Sequence, residues 1–352
     1  MRRSLLAVAA LILAVASLAA CSTDGTEPGE EPGTVAFLLP ESKTSRYEAF
    51  DRPYFEERFK ELCAQCEVVY SNADGDAAKQ LQQAESALTQ NISVLVLDPV
   101  DSAAAASIVA SAKSRGIAVI AYDRIITNAD LDYFISFDSG TVGSLQGTAL
   151  VEKMTVDGKP DGNILMINGS PTDSNAAVFK AGAHAVIDTS QLNVIGEYDS
   201  PDWSPDKAQE WASGQIVQHA GEIDGVYAAN DGTAGGVIAA LKAAGVDPLP
   251  PVTGQDGELT AVQRIISGDQ YMTAYKAVPM QAIAAAEVAF ALMSGEEVPA
   301  EEMVDGVPSM LLEPVAVTRD NIADTIIADG YYSVADICTP EYAAACAAAG
   351  IE

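Results

Sequence analysis

Histidine is nearly missing from this chain: its 352 residues contain two, His184 and His219. A His-rich metal site and a His-based proton relay are thereby excluded, and most hydrolase mechanisms lose their usual base. Both histidines fall in expected helices with no cysteine or nucleophile beside them, and both are read as structural. Basic residues are scarce as well: 19 Lys plus Arg stand against 50 Asp plus Glu, a formal charge of −31. Such a surface repels nucleic acid, whose recognition needs clustered cations. What is present is globular material, 49% hydrophobic and 20% charged, unlike a disordered chain. The length suits about two domains of roughly 150 residues, each able to bury its own core.

Cysteine is sparse but informative. The chain starts with Arg2 and Arg3 and runs into an apolar stretch from Leu5 to Ala20, the charged and apolar regions of a secretory signal over 1–20. The stretch is too short to span a membrane comfortably. It closes on Leu18-Ala19-Ala20-Cys21, which resembles a bacterial lipoprotein cleavage box. The resemblance implies that Cys21 becomes the lipid-modified first residue of an exported protein held to the outer face of the cell membrane. Residues 22–33 (STDGTEPGEEPG) are acidic and rich in Pro and Gly, so 21–33 reads as a flexible tether. Cys63, Cys66, Cys338 and Cys346 remain, an even number in an oxidising setting. Three pairings are open; the local ones, Cys63 with Cys66 and Cys338 with Cys346, close the smallest loops and are favoured. A Cys-x-x-Cys also suits redox chemistry, but this one follows a helical run instead of opening a helix, where the dipole would activate the thiol. The spacing of the second pair fits a four-cysteine zinc site poorly.

From Thr34 onward short β-branched runs alternate with Ala-rich helical ones. Strands are expected at 35–39, 68–70, 94–97, 118–121, 134–136, 163–167, 193–198, 225–229, 252–253 and 272–275. Several are apolar without alternation, as parallel strands covered on both faces are. Helices are expected at 76–90, 103–115, 142–154, 175–188, 204–219, 233–244 and 259–267, often stopped by Gly. Strand and helix in alternation predict a doubly wound α/β fold. An internal echo points to two similar halves: Asp98 and Asp123, then Asp231 and Asp256, flank a helix, a Gly stop and a strand at equal spacing. Such residues sit at the carboxyl ends of parallel strands, where open α/β sheets bind ligands.

The polar residues at or just beyond strand ends are Arg46, Asp123, Arg124, Asp173, Asn175, Asn230, Asp231, Asp256 and Lys276. With Asp231 set aside as a cap of the following helix, three cations face three anions. A phosphate or carboxylate site would carry excess cations, whereas balanced carboxylate, guanidinium, amide and ammonium groups suit a neutral ligand covered in hydroxyls. Trp203 stands just before a helix, and Tyr47 follows Arg46 directly. Rings beside a polar cluster fit stacking on the C–H face of a sugar; for Trp203 the alternative is a loop anchor packed in the core. Asn72-Ala73-Asp74-Gly75-Asp76 lacks the acids and distal Glu of a calcium loop and reads as a turn with a helix cap. Gly232-Thr233-Ala234-Gly235-Gly236 lacks the P-loop Lys. No metal and no cofactor are expected.

Ala121-Tyr122-Asp123-Arg124-Ile125-Ile126 through Ile135-Ser136-Phe137-Asp138, then Gly169-Ser170-Pro171-Thr172-Asp173-Ser174-Asn175-Ala176, Asn230-Asp231-Gly232-Thr233-Ala234-Gly235-Gly236, Gly254-Gln255-Asp256 and Tyr275-Lys276 together resemble bacterial D-xylose-binding proteins of ABC importers. These are type I periplasmic sugar-binding proteins, and the likeness runs from about Thr34 to about Gly330. It implies two Rossmann-like lobes joined by three crossings: 34–138 plus 277–308, and 139–276 plus 309–352. It implies that Arg46, Asp123 and Arg124 bind sugar hydroxyls from the first lobe and Asp173, Asn175, Asn230 and Asp256 from the second, with Lys276 at a crossing and Trp203 stacking. Tyr47 departs from the pattern, which has Trp there; Lys43 lies in a loop near the ligand but outside its first contacts. The implied partners are a monosaccharide, D-xylose, and an ABC transporter permease, for a monomer closing about its hinge. A lipid-anchored sugar sensor, or a receptor for another pentose or hexose, would use the same residues. A sugar-processing enzyme would need an acid and a base with separated pKa values, and a repressor would carry a basic DNA-binding segment where the export signal stands.

Overall fold

The structure is a computed structural model and describes residues 33–351. The export segment 1–20, Cys21 and the tether 21–33 apart from Gly33 lie outside the described residues.

The chain begins with β1 (Thr34–Leu39), α1 (Arg52–Leu62), β2 (Glu67–Asn72), α2 (Ala77–Leu88), β3 (Val94–Leu97), α3 (Ala106–Lys113), β4 (Ala118–Tyr122) and β5 (Tyr133–Phe137). These strands pair in parallel in the order β5-β4-β3-β1-β2. β1 shows why: from Val35 to Leu39 every residue is buried, and successive side chains serve opposite faces. Val35, Phe37 and Leu39 pack with Phe55 and Phe59 of α1, while Ala36 and Leu38 pack with Ala84, Ile108 and Val109 of α2 and α3.

The chain then crosses to a second lobe: α4 (Ser139–Val156), β6 (Asn163–Asn168), α5 (Ser174–Ile187), β7 (Asn193–Asp199), α6 (Pro205–Gln218), β8 (Gly225–Ala228), α7 (Asp231–Ala243), α8 (Leu259–Ser267) and β9 (Met272–Tyr275). β7-β6-β8 form its sheet, extended by single bridges from Val226 to Val252 and from Gln255 to Ala274. The expected strand at 252–253 is thus one bridge. The same sorting recurs, with Ile164 and Met166 of β6 on one face and Leu165 and Ile167 on the other.

A second crossing leads into α9 (Val278–Met293), which covers the first sheet with Ala282, Ala285 and Ala289, then β10 (Glu302–Val304) and β11 (Val307–Leu312). β11 pairs with β5 from Ser309 to Leu312, so these residues belong to the first lobe. The boundary expected between Pro308 and Ser309 therefore moves beyond Leu312, because sheet pairing decides where the strand ends. β12 (Val315–Thr318) then pairs with β9, completing three crossings. The chain ends in the short helices α10 (Val334–Ile337) and α11 (Ala343–Ala348). Disulfides join Cys63 to Cys66 and Cys338 to Cys346. Among the described residues no helix is long and apolar enough to cross a membrane.

Candidate functional site

The carboxyl ends of both sheets face each other across a cleft. β4 ends at Tyr122, and Arg124 N donates back to Tyr122 O at 2.6 Å, a three-residue turn centred on Asp123 at φ 59°. A non-glycine residue keeps that φ only where its surroundings hold it. Here Asp123 N donates to Ile135 O (2.8 Å), and Asp123 O accepts from Ser136 Oγ (2.6 Å) and, across the cleft, from Asn175 Nδ2 (2.8 Å).

Arg46 leads into a π-helical turn, Tyr47–Asp51, and is held on three sides. Its Nε and Nη2 donate to Asp51 (2.9 and 2.7 Å), Nη1 to Asp123 (3.0 Å) and Nη2 also to Gln281 of α9 (2.8 Å). The Tyr122 hydroxyl donates to Asp51 too. Tyr47 carries the Arg46 guanidinium over its ring at 5.3 Å, and its hydroxyl accepts from Arg124 Nη2 at 3.0 Å.

Arg124 reaches furthest. Nη1 donates to Pro99 O (3.0 Å), and Nε lies 3.4 Å from Asp98 and 2.9 Å from Asp173 of the other lobe, an ion pair not aligned as a hydrogen bond. Asp173 caps α5 through Asn175 N (2.8 Å) and accepts from Trp203 Nε1 (2.9 Å). Trp203 sits at φ 52° after Asp202 at φ 57°, packed edge-on to Phe179 and flat against Gly169. A Cβ on Gly169 would lie 2.1 Å from the indole Cη2, so glycine is required there. Trp203 therefore is a buried anchor and a cavity wall at once.

On the second lobe Lys276 Nζ pairs with Asp256 at 2.8 Å and stands 5.8 and 5.9 Å from the Phe137 and Phe179 rings. Asn230 caps α7, its Oδ1 accepting from Thr233 N (2.9 Å) and Thr233 Oγ1 (2.8 Å), and the residue lines the cavity. This corrects the expectation that Asp231 is the cap. Asp231 is instead tied sideways, accepting from Gln270 Nε2 (2.8 Å), Thr273 Oγ1 (2.9 Å) and Glu258 N (3.0 Å).

Burial shapes the charges. It works to raise the Asp123 carboxyl, but Arg46, Lys276 and Arg124 outweigh it and hold that group well below the usual range. Burial pushes Asp173 up against the pull of Arg124, and pushes the fully buried Asp98 well up. The Tyr47 hydroxyl is raised by burial, which keeps it neutral.

The space left between these groups amounts to about 300 Å³, part of it open to solvent. All ten residues singled out from the sequence line it: Arg46, Tyr47, Asp123, Arg124, Asp173, Asn175, Trp203, Asn230, Asp256 and Lys276. Thr44, Phe179 and Gln255 join them; Phe179 lies one helical turn after Asn175, a spacing that could have flagged it. Asp51, Asp98 and Gln281 support the wall from behind. Gln281 carries no sequence signal, since it sits in the almost wholly apolar run of α9. Lys43 lines a different depression and reaches Asp202 O of the other lobe at 3.5 Å. Among the described residues no acidic, His or Cys cluster could hold a metal ion; at Asn72–Asp76, Asp76 caps α2 instead. His184 bridges Asp188 and Glu197 on the surface.

The lobes are closed over the cavity. Ser102 N donates to Thr172 O (3.0 Å), Ser174 Oγ to Ile125 O (3.0 Å) and Ser45 N to Glu258 Oε1 (3.3 Å), besides the Arg124–Asp173 pair. Fold and site together define a two-lobed binding protein whose polar chamber is assembled from both halves.

The comparisons agree. Residues 35–297 match the periplasmic binding protein domain, and the chain belongs to that family, with its type I fold. It is 38% identical over 291 residues to the D-xylose-binding periplasmic protein of Haemophilus influenzae, covering 80% of this chain and 86% of that protein. For the Escherichia coli protein of the same name the identity is 37% over 295 residues, covering 82% and 87%. Among solved structures, an ABC transporter solute-binding protein from Clostridium phytofermentans with bound β-D-glucose aligns at TM-score 0.80 and 30% identity, covering 86% of this chain and 99% of that one. A carbohydrate transporter solute-binding protein from Chloroflexus aurantiacus in complex with D-glucose aligns at 0.79 and 30%, covering 87% and 98%.

Proposed function

We propose that the protein is an extracytoplasmic solute-binding lipoprotein, anchored through Cys21, that captures one monosaccharide by hinge closure and presents it to an ABC transporter permease. The observation that carries this reading is the cross-lobe bonding of Asp123 and Arg124 to Asn175 and Asp173 around a small chamber. Three cations and three carboxylates line that chamber. Such a set can donate to and accept from every hydroxyl of a neutral polyol. Asp123, Asp173 and Asp256 accept, Arg46, Arg124, Lys276 and the Asn230 amide donate, and Trp203 and Phe179 cover an apolar ring face.

Ligand contacts to both lobes exist only when they are closed, so binding energy shifts the open–closed equilibrium. A Kd near about 1 μM corresponds to roughly −8 kcal/mol, within reach of several charge-assisted hydrogen bonds and one buried stack. The protein acts as a monomer and receptor, with no catalytic step: each carboxylate of the site has a fixed partner.

The proposed sugar is D-xylose, supported by the two relatives near 38% identity named for it. A second reading, D-glucose, is favoured by the ligands of the two structural neighbours. Calorimetric titration of the purified protein with D-xylose, D-glucose, D-ribose, L-arabinose and D-galactose decides between them. Micromolar one-to-one binding of xylose with the others far weaker is expected. Tighter binding of glucose replaces the ligand, and no binding of any sugar refutes the receptor reading.

A further inference from the structure

Beyond the sugar-contacting residues, the chain end takes part in the site from behind. The segment after Gly330 is fastened to the second lobe. Ile337, Cys346 and Ile351 are buried against Val262, Ile265 and Ile266 of α8. Gln263 Nε2 donates to Asp336 O (3.2 Å) and Arg319 Nη2 to Ala345 O (3.2 Å), and the Cys338–Cys346 disulfide closes the segment on itself. From this base Tyr331 reaches the first lobe. Its ring stacks on Phe50 with centroids 4.1 Å apart and planes 11° off parallel, and meets Tyr275 of the second lobe edge-on at 5.1 Å. Tyr332 adds an edge contact to Phe50 at 5.6 Å.

Phe50, with partly buried Tyr54 beside it, reaches from the first lobe into this mainly second-lobe core, which Val278 at the start of α9 also joins. It belongs to the same π-helical turn as Tyr47 and Asp51, and Asp51 chelates Arg46. Tyr275 directly precedes Lys276 and the crossing into α9. The aromatic pair thus joins the arginine-bearing turn of one lobe to the hinge strand of the other. We infer that Tyr331 is a positioning residue: anchored by the disulfide-closed C-terminal segment, it clamps the Phe50 turn and biases the lobes toward closure. The effect on sugar affinity rests on the proposed receptor function; the effect on closure does not.

The test uses the full exported protein with Tyr331→Leu, Tyr331→Phe, Phe50→Leu and the Phe50→Leu/Tyr331→Leu pair. Two quantities are read: the radius of gyration without sugar by solution scattering, and the sugar Kd by calorimetry. Tyr331→Leu is expected to open the sugar-free protein and raise Kd about three- to tenfold, the range of one aromatic stack. Tyr331→Phe keeps the stack and restores both. The double variant falls short of the summed single effects, because either change removes the same contact. Should Tyr331→Leu fail to fold, Phe50→Leu carries the test from the other lobe. A lowered melting temperature with unchanged radius and unchanged Kd reduces Tyr331 to a packing residue and overturns the inference. Absence of any sugar binding by the unmutated protein refutes the receptor function instead, and the scattering comparison still decides the clamp.

Discussion

Gly169→Ala isolates the indole wall without touching a polar group. Gly169 lies outside the left-handed backbone region, so alanine fits its backbone and the sheet it ends. Its Cβ, however, would fall 2.1 Å from Trp203 Cη2 and 2.2 Å from Cζ2, against an ordinary contact of 3.4 Å or more. The rigid ring cannot bend away: Asp173 holds Nε1 at 2.9 Å and Phe179 backs it. It must shift by more than about 1 Å, which breaks the hydrogen bond to Asp173. Displacing the indole removes its face from the cavity, and a ring stack contributes about 0.5–1.5 kcal/mol beyond its burial, so sugar affinity is expected to fall about three- to tenfold. Calorimetry measures the loss, and indole fluorescence reports the cause. Trp211 is the other tryptophan, stacked on Tyr198 at 5.3 Å and away from the cavity lining, so a sugar-dependent change belongs to Trp203. Affinity within about twofold of the unmutated protein, with an unaltered fluorescence response, would refute the placement of Trp203 as a ligand-facing wall.

Asp51→Asn breaks a fully buried ion pair with Arg46 and is expected to destabilise the protein by about 3–5 kcal/mol in denaturant titration; a loss under about 1 kcal/mol would count against the charge of Asp51. The exposed Arg58–Glu287 pair serves as the contrast, since solvent screens it and Glu287→Gln should leave stability nearly unchanged. Glu258 is pushed up to about 8 by burial and by repulsion from Asp231 and Asp256, and it meets Ser45 N of the other lobe only in the closed form. Opening removes part of that burial while Asp231 and Asp256 of its own lobe stay beside it, so the pKa falls below about 8 and the closed form holds the proton more tightly. That advantage is present at low pH and is lost as the pH rises to about 8. Sugar Kd should therefore rise across this window, and Glu258→Gln should flatten the profile; a flat profile in the unmutated protein would contradict the latch.

Most of the fold is legible in the sequence because parallel strands covered on both faces are short continuous apolar runs. Leu95–Leu97 and Leu165–Ile167 have no other use for their side chains. The site residues are legible for a related reason: polar groups directly after such runs stand at the one edge where a covered sheet meets water. What escaped is set by three-dimensional pairing. Asn230 and Asp231 are both competent caps, and only the backbone at Asn230, with φ −144°, selects between them. Pro308–Leu312 reads the same whether it ends in one lobe or the other, and pairing with Phe134–Phe137 decides. α9 buries alanines with little polar face, so Gln281, which shares Arg46 and Asp123, gives no local sign of its place. Asp51 looks like one more surface acid until Arg46 folds back onto it.

The distribution of ion pairs shows which contact changes on closing. Arg46 is compensated inside its own lobe by Asp51 and Asp123, and Lys276 inside the other by Asp256. Arg124 alone among the three has an ion-pair partner across the cleft, Asp173, with buried Asp98 behind it, while Lys276 acts on Asp123 of the other lobe at longer range. Each lobe thus keeps its half of the site organised before ligand arrives, and Arg124 supplies the charge contact that rewards closure. Arg124→Lys tests this. An ammonium can satisfy either acid but cannot also serve Pro99 O and the Tyr47 hydroxyl, which the guanidinium reaches from a planar fork. Without that fork the charge is no longer held against Asp173 across the cleft, and sugar binding should weaken at least about tenfold. Because Pro99 O and the Tyr47 hydroxyl belong to the lobe that carries Arg124, their loss should also lower the melting temperature, by about 2–4 °C per kcal/mol. Full affinity in Arg124→Lys would mean that charge alone suffices there, and the role given to the fork would fall.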